Sequence, residues 1–455
     1  MKSFKGKTDL NNSKMATKFE ENKQTTMFGS SQFPFYEEIL DEYGKEFREL
    51  IAPKGDTTFG FWMQTIADLE LLNIELQGLT KEFKINSVTR TVKLKGDEDF
   101  IKSRVAHLER IKGKTTIYAD FIDLFNDSNA YAFHNLYPYK GKFYPRVVRT
   151  LANAFGLKSK HLILDPFNGS GTATHEASLM GIDSVGVDVT PIGTMLSELK
   201  NELPFISSKD LEFTQRDIIE IFNLIEKKKW EHPNKVIEKL MLVIYFDTID
   251  AFARTSRYNR KGKEGLFFEK FCYVNDCYTK LVNLKNKYNL EIKRATIIES
   301  DILELKSIRR FKGKFDAIIT SPPYYLSIDY VGKDKIAYDY LGINMKEVEA
   351  KYLGMKNDNV PKRKYGKLPS RVSRYYQDLK KSIENMCWAL KSGGKIAIIV
   401  GDSTVGGTKI PTTIMTKKFC EESGLKFQKI IFNPLLGARN RAIRGESIII
   451  CEKKQ

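Results

Sequence analysis

The sequence predicts an α/β protein whose larger part is a doubly wound, mostly parallel sheet, and three observations carry that prediction. From about Tyr131 onward the chain breaks into short apolar runs, each ending in a small or acidic residue: His161 to Asp165, Ser184 to Asp188, Ala295 to Glu299, Phe315 to Thr320, Lys395 to Val400, Lys426 to Phe432 and Glu446 to Cys451. Most of these runs are followed by a stretch with helical apolar spacing. Apolar runs bounded on both sides by helices are what a parallel sheet buried on both faces requires. The last two runs are separated by about thirteen residues with no helical pattern, which suits an antiparallel hairpin at the sheet edge.

Two regions fall outside this alternation. Residues 1–130 read as an N-terminal accessory region and a candidate for recognising a partner: a polar basic tail to about residue 30, then an α+β stretch with alternating runs such as Ser87 to Leu94. Between the second and third strand candidates lie roughly a hundred residues, far more than one crossover helix needs. This places a large inserted subdomain at 201–290, a second candidate for recognising a partner, between the two parts of the doubly wound domain at 131–200 and 291–455.

The composition excludes several classes. The chain is 42% hydrophobic and 29% charged, which is globular rather than disordered, and no run of about 18 apolar residues suggests a membrane span. The first residues carry lysines without an apolar segment behind them, unlike a secretory signal. The five cysteines form no CxxC pair, which points to reduced thiols, a cytoplasmic protein and no structural metal. Seventy-four Lys and Arg against 57 Asp and Glu leave a charge of +17, which makes a polyanion such as nucleic acid the natural partner. Cations interleave with tyrosines and polar residues in two places, around Arg254, Arg257, Arg260 and Lys261, and around Lys362, Arg363, Arg371 and Arg374. Together these stretches suit phosphate contacts.

The segment Asp165-Pro166-Phe167-Asn168-Gly169-Ser170-Gly171 follows a strand candidate and precedes a helical stretch. Glycines at 169 and 171 let the backbone turn sharply and approach a ligand at a helix N-terminus. The next strand candidate ends in Asp188, where an acidic side chain can accept from both hydroxyls of a ribose. A nucleoside-bearing cofactor fits, whereas the patterns of dinucleotide and triphosphate loops are absent.

The strand candidate Phe315 to Thr320 runs into Ser321-Pro322-Pro323-Tyr324. Two prolines hold the backbone extended and leave the Pro322 carbonyl without a competing local donor. With the Ser321 hydroxyl beside it and the flat face of Tyr324, this corner can grip an aromatic base by its amino group and ring. Such a grip answers a specific difficulty, because the lone pair of an exocyclic amine is delocalised into the base. Acceptors that take its N–H bonds favour a tetrahedral nitrogen whose lone pair can attack a methyl sulfonium, with positioning and electrostatics supplying the catalysis.

These motifs resemble those of the amino-group DNA methyltransferases, the N4-cytosine and N6-adenine enzymes of prokaryotes, over roughly Tyr131 to the C-terminus. The segment Tyr137 to Pro145 also resembles the stretch that this family places before its cofactor motif. The resemblance implies a Rossmann-like, class I S-adenosylmethionine-dependent fold. It implies that Asp165, Phe167, Gly169, Gly171, Asp188, Asp301, Tyr137 and Lys142 serve the cofactor and that Ser321, Pro322, Pro323 and Tyr324 form the catalytic corner. Asp329, Tyr330 and Asp402 are further candidates near that corner. Serine at the first motif position favours cytosine N4, after flipping of the base from double-stranded DNA, and a cognate restriction endonuclease and a place at the nucleoid would follow. Methylation at cytosine C5 is disfavoured, since it needs a nucleophilic cysteine and none here follows a proline. Adenine N6 methylation, an RNA exocyclic-amine activity, and a catalytically inactive nucleic-acid-binding homologue stay open as alternatives.

Overall fold

All seven apolar runs become strands of one sheet in the computed structural model, which describes residues 55–128, 130–255, 261–325, 332–355, 370–405, 408–434 and 445–454. The strands are β1 (Leu162–Asp165), β2 (Asp183–Asp188), β3 (Thr296–Glu299), β4 (Phe315–Thr320), β5 (Leu390–Val400), β6 (Leu425–Pro434) and β7 (Gly445–Lys453). Their spatial order is β3-β2-β1-β4-β5-β7-β6. Neighbours from β3 to β5 pair in parallel, and β7 runs antiparallel to both β5 and β6. The expected edge hairpin is therefore present, with β7 turned inward between its partners. The strand order reverses beside β1 and β4, and a crevice opens at the carboxyl ends of the strands at such a switch point.

Strand periodicity divides the core between two faces. Ile163, Ala317, Ile319, Ala397, Ile399 and Ile448 face one side and pack on α1 (Pro145–Ala154) and α2 (Thr172–Leu179). Leu164, Ile318, Ile396, Ile398 and Ile449 face the other and pack on Leu379, Ile383 and Met386 of a long helix, Ser370–Ala389. Strands β1, β4, β5 and β7 are thus apolar on both sides, which is why their runs in the sequence are continuous rather than alternating.

The stretch between β2 and β3 begins with the crossover helix α3 (Pro191–Glu202) and continues into α4 (Gln215–Glu226), α5 (Lys235–Arg254) and α6 (Gly262–Tyr288). A reciprocal cap between Thr214 and Asp217 starts α4, and the Asn234 side chain caps α5. Phe222, Leu240, Ile244, Phe267 and Phe271 pack these helices together, and the same cluster holds Phe59, Trp62, Leu72, Tyr118 and Phe121 from the N-terminal region. The helical layer and the N-terminal region share one continuous core.

That region contains a five-stranded sheet and the helices Ile66–Leu79, Glu98–Arg104 and Ile117–Phe125. The run Ser87 to Leu94 is not one strand. Asn86 accepts from the amides of Val88 and Thr89 through its side chain, which turns the chain, and strand resumes at Thr91. Buried polar contacts fasten the region to the main sheet. Arg104 donates to the Leu157 carbonyl at 2.8 Å, the Met180 carbonyl at 3.1 Å and Asn153 Oδ1 at 3.0 Å. No described helix is long and apolar enough to cross a membrane.

Candidate active site

The turn after β1 is built from glycines that cannot be exchanged. Gly169 and Gly171 have φ of 48° and 79°, in the left-handed region. A Cβ on Gly171 would lie 2.3 Å from Ser197 Oγ of α3, and one on Gly169 would lie 3.1 Å from the Tyr139 ring. Just before them Asn168 turns inward. Its side chain donates to Ser197 Oγ at 2.6 Å and accepts from Thr174 Oγ1 at 3.1 Å, so the turn is stitched to α2 and α3.

Asp188, at the end of β2, accepts from the Gly169 amide at 2.6 Å through one carboxylate oxygen and from the Thr190 amide at 2.9 Å through the other. It therefore shapes the turn and borders the ligand space at once. Burial pushes its carboxyl above the usual range, opposed by these donors. Asp165 lies deeper. Its Oδ1 accepts from Thr320 Oγ1 at 2.6 Å and from the Phe167 amide at 3.1 Å, while its Oδ2 is buried without a partner among the described residues. Burial raises this carboxyl to about 7.

The turn opens into a cleft. Phe167 and Gly169 line it, with Asp188 at the end of β2 and Val189 just past it, Asp301 and Ile302 after β3, and Ser321 and Pro323 after β4. Asp301 also caps the short turn that follows it, accepting from the Leu303 amide at 2.9 Å. The cofactor-type residues and the double-proline corner, predicted from motifs some 150 residues apart in sequence, thus line one space.

Hydrogen bonds to three separate elements pin that corner. The Ser321 hydroxyl donates to the Ile399 carbonyl of β5 at 3.1 Å, Tyr375 donates to the Pro323 carbonyl at 3.0 Å, and Tyr324 donates to Glu446 of β7 at 2.7 Å. A hydroxyl has one proton and two lone pairs. With its proton committed to β5, Ser321 presents an oxygen to the cleft that can only accept.

Several predicted residues sit elsewhere. Tyr137 is buried with its hydroxyl on Asp334 at 2.9 Å, and Lys142 caps the carbonyls of His134 and Tyr137, so neither lines the cleft. Their neighbours Tyr139, Lys140 and Gly141 line it instead. Gly171 and Asp165 stand behind the lining and shape it, and Pro322 and Tyr324 are buried at the corner. Among the cations, Arg254 is bonded to Asp250 and Lys261 to Glu269, both partly exposed, whereas Arg374 is largely buried against Asp378. Arg371 is exposed and lies near Tyr325. Asp402 accepts from the Thr413 amide at 2.8 Å, capping the helix Thr412–Glu422. Arg257, Arg260, Lys362, Arg363, Asp329 and Tyr330 lie outside the described residues.

Sequence reasoning missed Lys351, Tyr352 and Leu353, which cover the cleft from the far side. They follow a short helix and carry no motif, although Gly354 marks the spot: its φ is 79° and its amide donates to Asp378 at 2.9 Å. Also missed was a buried layer beneath the turn. Lys200 lies within hydrogen-bond reach of Ser170 Oγ at 3.3 Å and the His134 carbonyl at 3.4 Å, and burial pushes its amine well below the lysine range.

Comparison with known proteins agrees with this geometry. Residues 136–362 match the family described as UPF0020, RMKL-like, methyltransferase domain, a span that holds both the glycine turn and the proline corner. That span is similar to a methyltransferase domain. It is 25% identical to the Type II methyltransferase M.BsoBI of Geobacillus stearothermophilus, covering 48% of this chain and 54% of that protein. It is 21% identical to the Type II methyltransferase M.MvaI of Kocuria varians, covering 75% of this chain and 94% of that one. A shorter match, 34% identical over 17% of this chain and 23% of the other, is to the tRNA (guanine(10)-N2)-dimethyltransferase of Methanothermobacter thermautotrophicus. The chain thus spans about half the length of M.BsoBI.

S-adenosylmethionine is the cofactor of this domain, and the cleft fits it. The left-handed glycine at 169 admits a ligand where a side chain would meet Tyr139, and the Asp165 carboxyl behind the lining keeps one oxygen without a partner among the described residues. Phe167, Gly169, Asp188 and Asp301 would hold it.

Proposed function

We propose that the chain transfers a methyl group from S-adenosylmethionine to an exocyclic amine of a nucleic-acid base, with cytosine N4 in double-stranded DNA as the target. The observation that carries this is the accept-only oxygen of Ser321 in the same cleft as the cofactor residues. An exocyclic amine brings two N–H donors, and an oxygen that cannot donate draws one of them without offering a competing proton. The Pro322 carbonyl accepts no hydrogen bond from the described residues and serves the second. Bound S-adenosylmethionine would supply an electrophilic methyl group and depart as the thioether, and the methylated nitrogen then sheds one proton to a nearby acceptor or to water. The chain's own part is to hold the amine pyramidal, stack the ring and exclude water, so no covalent intermediate with the enzyme is required.

Serine rather than an acid or amide at position 321 supports cytosine over adenine by family resemblance. The +17 charge and the exposed Arg371 beside the corner support a polyanionic substrate, flipped out to reach a buried corner. The names of M.BsoBI and M.MvaI support DNA and, with it, a cognate endonuclease as partner. The match to a tRNA methyltransferase supports a second reading, an amine of RNA. Tritiated methyl transfer to duplex DNA, tRNA and rRNA in parallel separates the two. Label in duplex DNA is the expected result, and label confined to RNA would replace this proposal with the second.

A further inference from the structure

The Tyr324–Glu446 contact is a part of the corner to which the methyl-transfer scheme gives no role. Tyr324 donates to Glu446 Oε1 at 2.7 Å across 122 residues of sequence. Glu446 is the second residue of β7, opposite Asn433 of β6, and Tyr324 is 7% exposed. Apolar packing alone leaves a phenol ring free to turn about its axis and to tilt. Here the main-chain end is set by two prolines and the hydroxyl end by a carboxylate on a different strand, so both ends of the ring are fixed. The carboxylate is an expensive way to fill this space, since burial raises Glu446 above the usual range, offset by the phenol bond. An apolar side chain would satisfy packing without that cost.

We propose that Glu446 is a positioning residue for base methylation: its hydrogen bond to Tyr324 sets the plane on which the flipped base stacks, and thereby the angle at which the amine meets Ser321. This rests on the base-amine reading above. A tilt of the base misaligns the nitrogen and the transferred methyl while leaving the donor's own contacts intact, so the loss falls on the rate of transfer.

The test measures kcat and KM for unmethylated genomic DNA, with tritiated S-adenosylmethionine, for the full chain and its E446A, E446Q, Y324F and Y324F/E446A variants. Donor affinity and thermal melting are recorded for each. Removing one hydrogen bond to a charged group predicts a loss of roughly tenfold in kcat for E446A, with KM and donor affinity changed less than about twofold. E446Q, whose amide oxygen still accepts, recovers most of that loss, and E446A adds nothing in the Y324F background. An equal loss from E446A in both backgrounds, an effect on KM alone, or E446Q as damaged as E446A overturns the proposal. Should E446A melt early, E446Q and Y324F decide it: a larger loss in E446Q than in Y324F overturns it, and the reverse supports it. A wild-type chain that leaves DNA unlabelled overturns the base-methylation reading and this inference with it, whereas labelled DNA with undiminished E446A overturns this inference alone.

Discussion

The hydroxyl of Ser321 donates to the carbonyl of Ile399, 3.1 Å away on the neighbouring strand β5. A bond that looks like a structural tether decides the polarity of the double-proline corner. It consumes the only proton Ser321 has and turns the oxygen toward the cleft as an acceptor.

Replacing Ser321 by alanine should therefore lower turnover by about 100-fold, the scale for loss of one preorganised hydrogen-bonding group. Donor affinity should hold within about twofold, because Ser321 lies beyond the glycine turn that shapes the donor's place. Single-turnover kinetics with calorimetry on the same preparation checks this, and normal turnover would contradict the role.

Gly171→Ala should destabilise the fold and abolish donor binding together. The new Cβ would sit 2.3 Å from Ser197 Oγ at a φ of 79°, and the strain and overpacking together cost about 2–4 kcal/mol. A melting curve and a titration with S-adenosylmethionine report the two effects.

Asp165 gives a pH signature. Burial holds its carboxyl at about 7 in the fold, against 3.8 for the ordinary group. Between those values the folded chain keeps a proton that the unfolded chain has released. The stability contributed by this group is thus complete below 3.8 and is lost as the pH rises through about 7. The melting temperature of Asp165→Asn minus that of wild type should rise across this window, and a constant difference would contradict it. The cationic donor favours the ionised carboxylate, so its affinity should increase with pH near 7 in wild type and not in the variant.

Arg371 and Arg374 carry the same charge three positions apart and should behave oppositely. Arg371 is exposed beside the corner. Its replacement by alanine should weaken DNA binding, lower the slope of log K against log salt by about 0.9, and leave melting unchanged. Arg374 is held by Asp378 at 3.2 Å, and Asp378 in turn holds Gly354 at the end of the segment covering the cleft. Arg374→Ala should instead lower the melting temperature.

Why some of this could be seen in the sequence and some could not follows from how far apart the cooperating residues lie. Ile163 and Leu164 face opposite helix layers, and such strands announce themselves as unbroken apolar runs. Gly169, Gly171, Asp188 and the prolines are local devices whose backbone demands restrict the residue type. By contrast, Ser87 to Arg90 carried strand-like alternation that one Asn86 side chain converts into a turn. Tyr139 and Tyr137 differ by two positions in an irregular segment with no period to say which one faces the cleft. Lys351 to Leu353, Lys200 and Glu446 act only through contacts made in three dimensions, and nothing in their own neighbourhoods marks them. The insertion could be counted but not placed, because Phe222 and Phe267 share a core with Trp62 and Tyr118 from far upstream.

The central claim is that one cleft delivers a sulfonium methyl to an exocyclic amine held by Ser321. Incubating the chain with deuteromethyl-labelled S-adenosylmethionine and unmethylated duplex DNA, followed by digestion to nucleosides and mass spectrometry, tests it most directly. The account predicts label in N4-methyldeoxycytidine; label on a ring carbon such as C5, or none in any nucleoside, would contradict it.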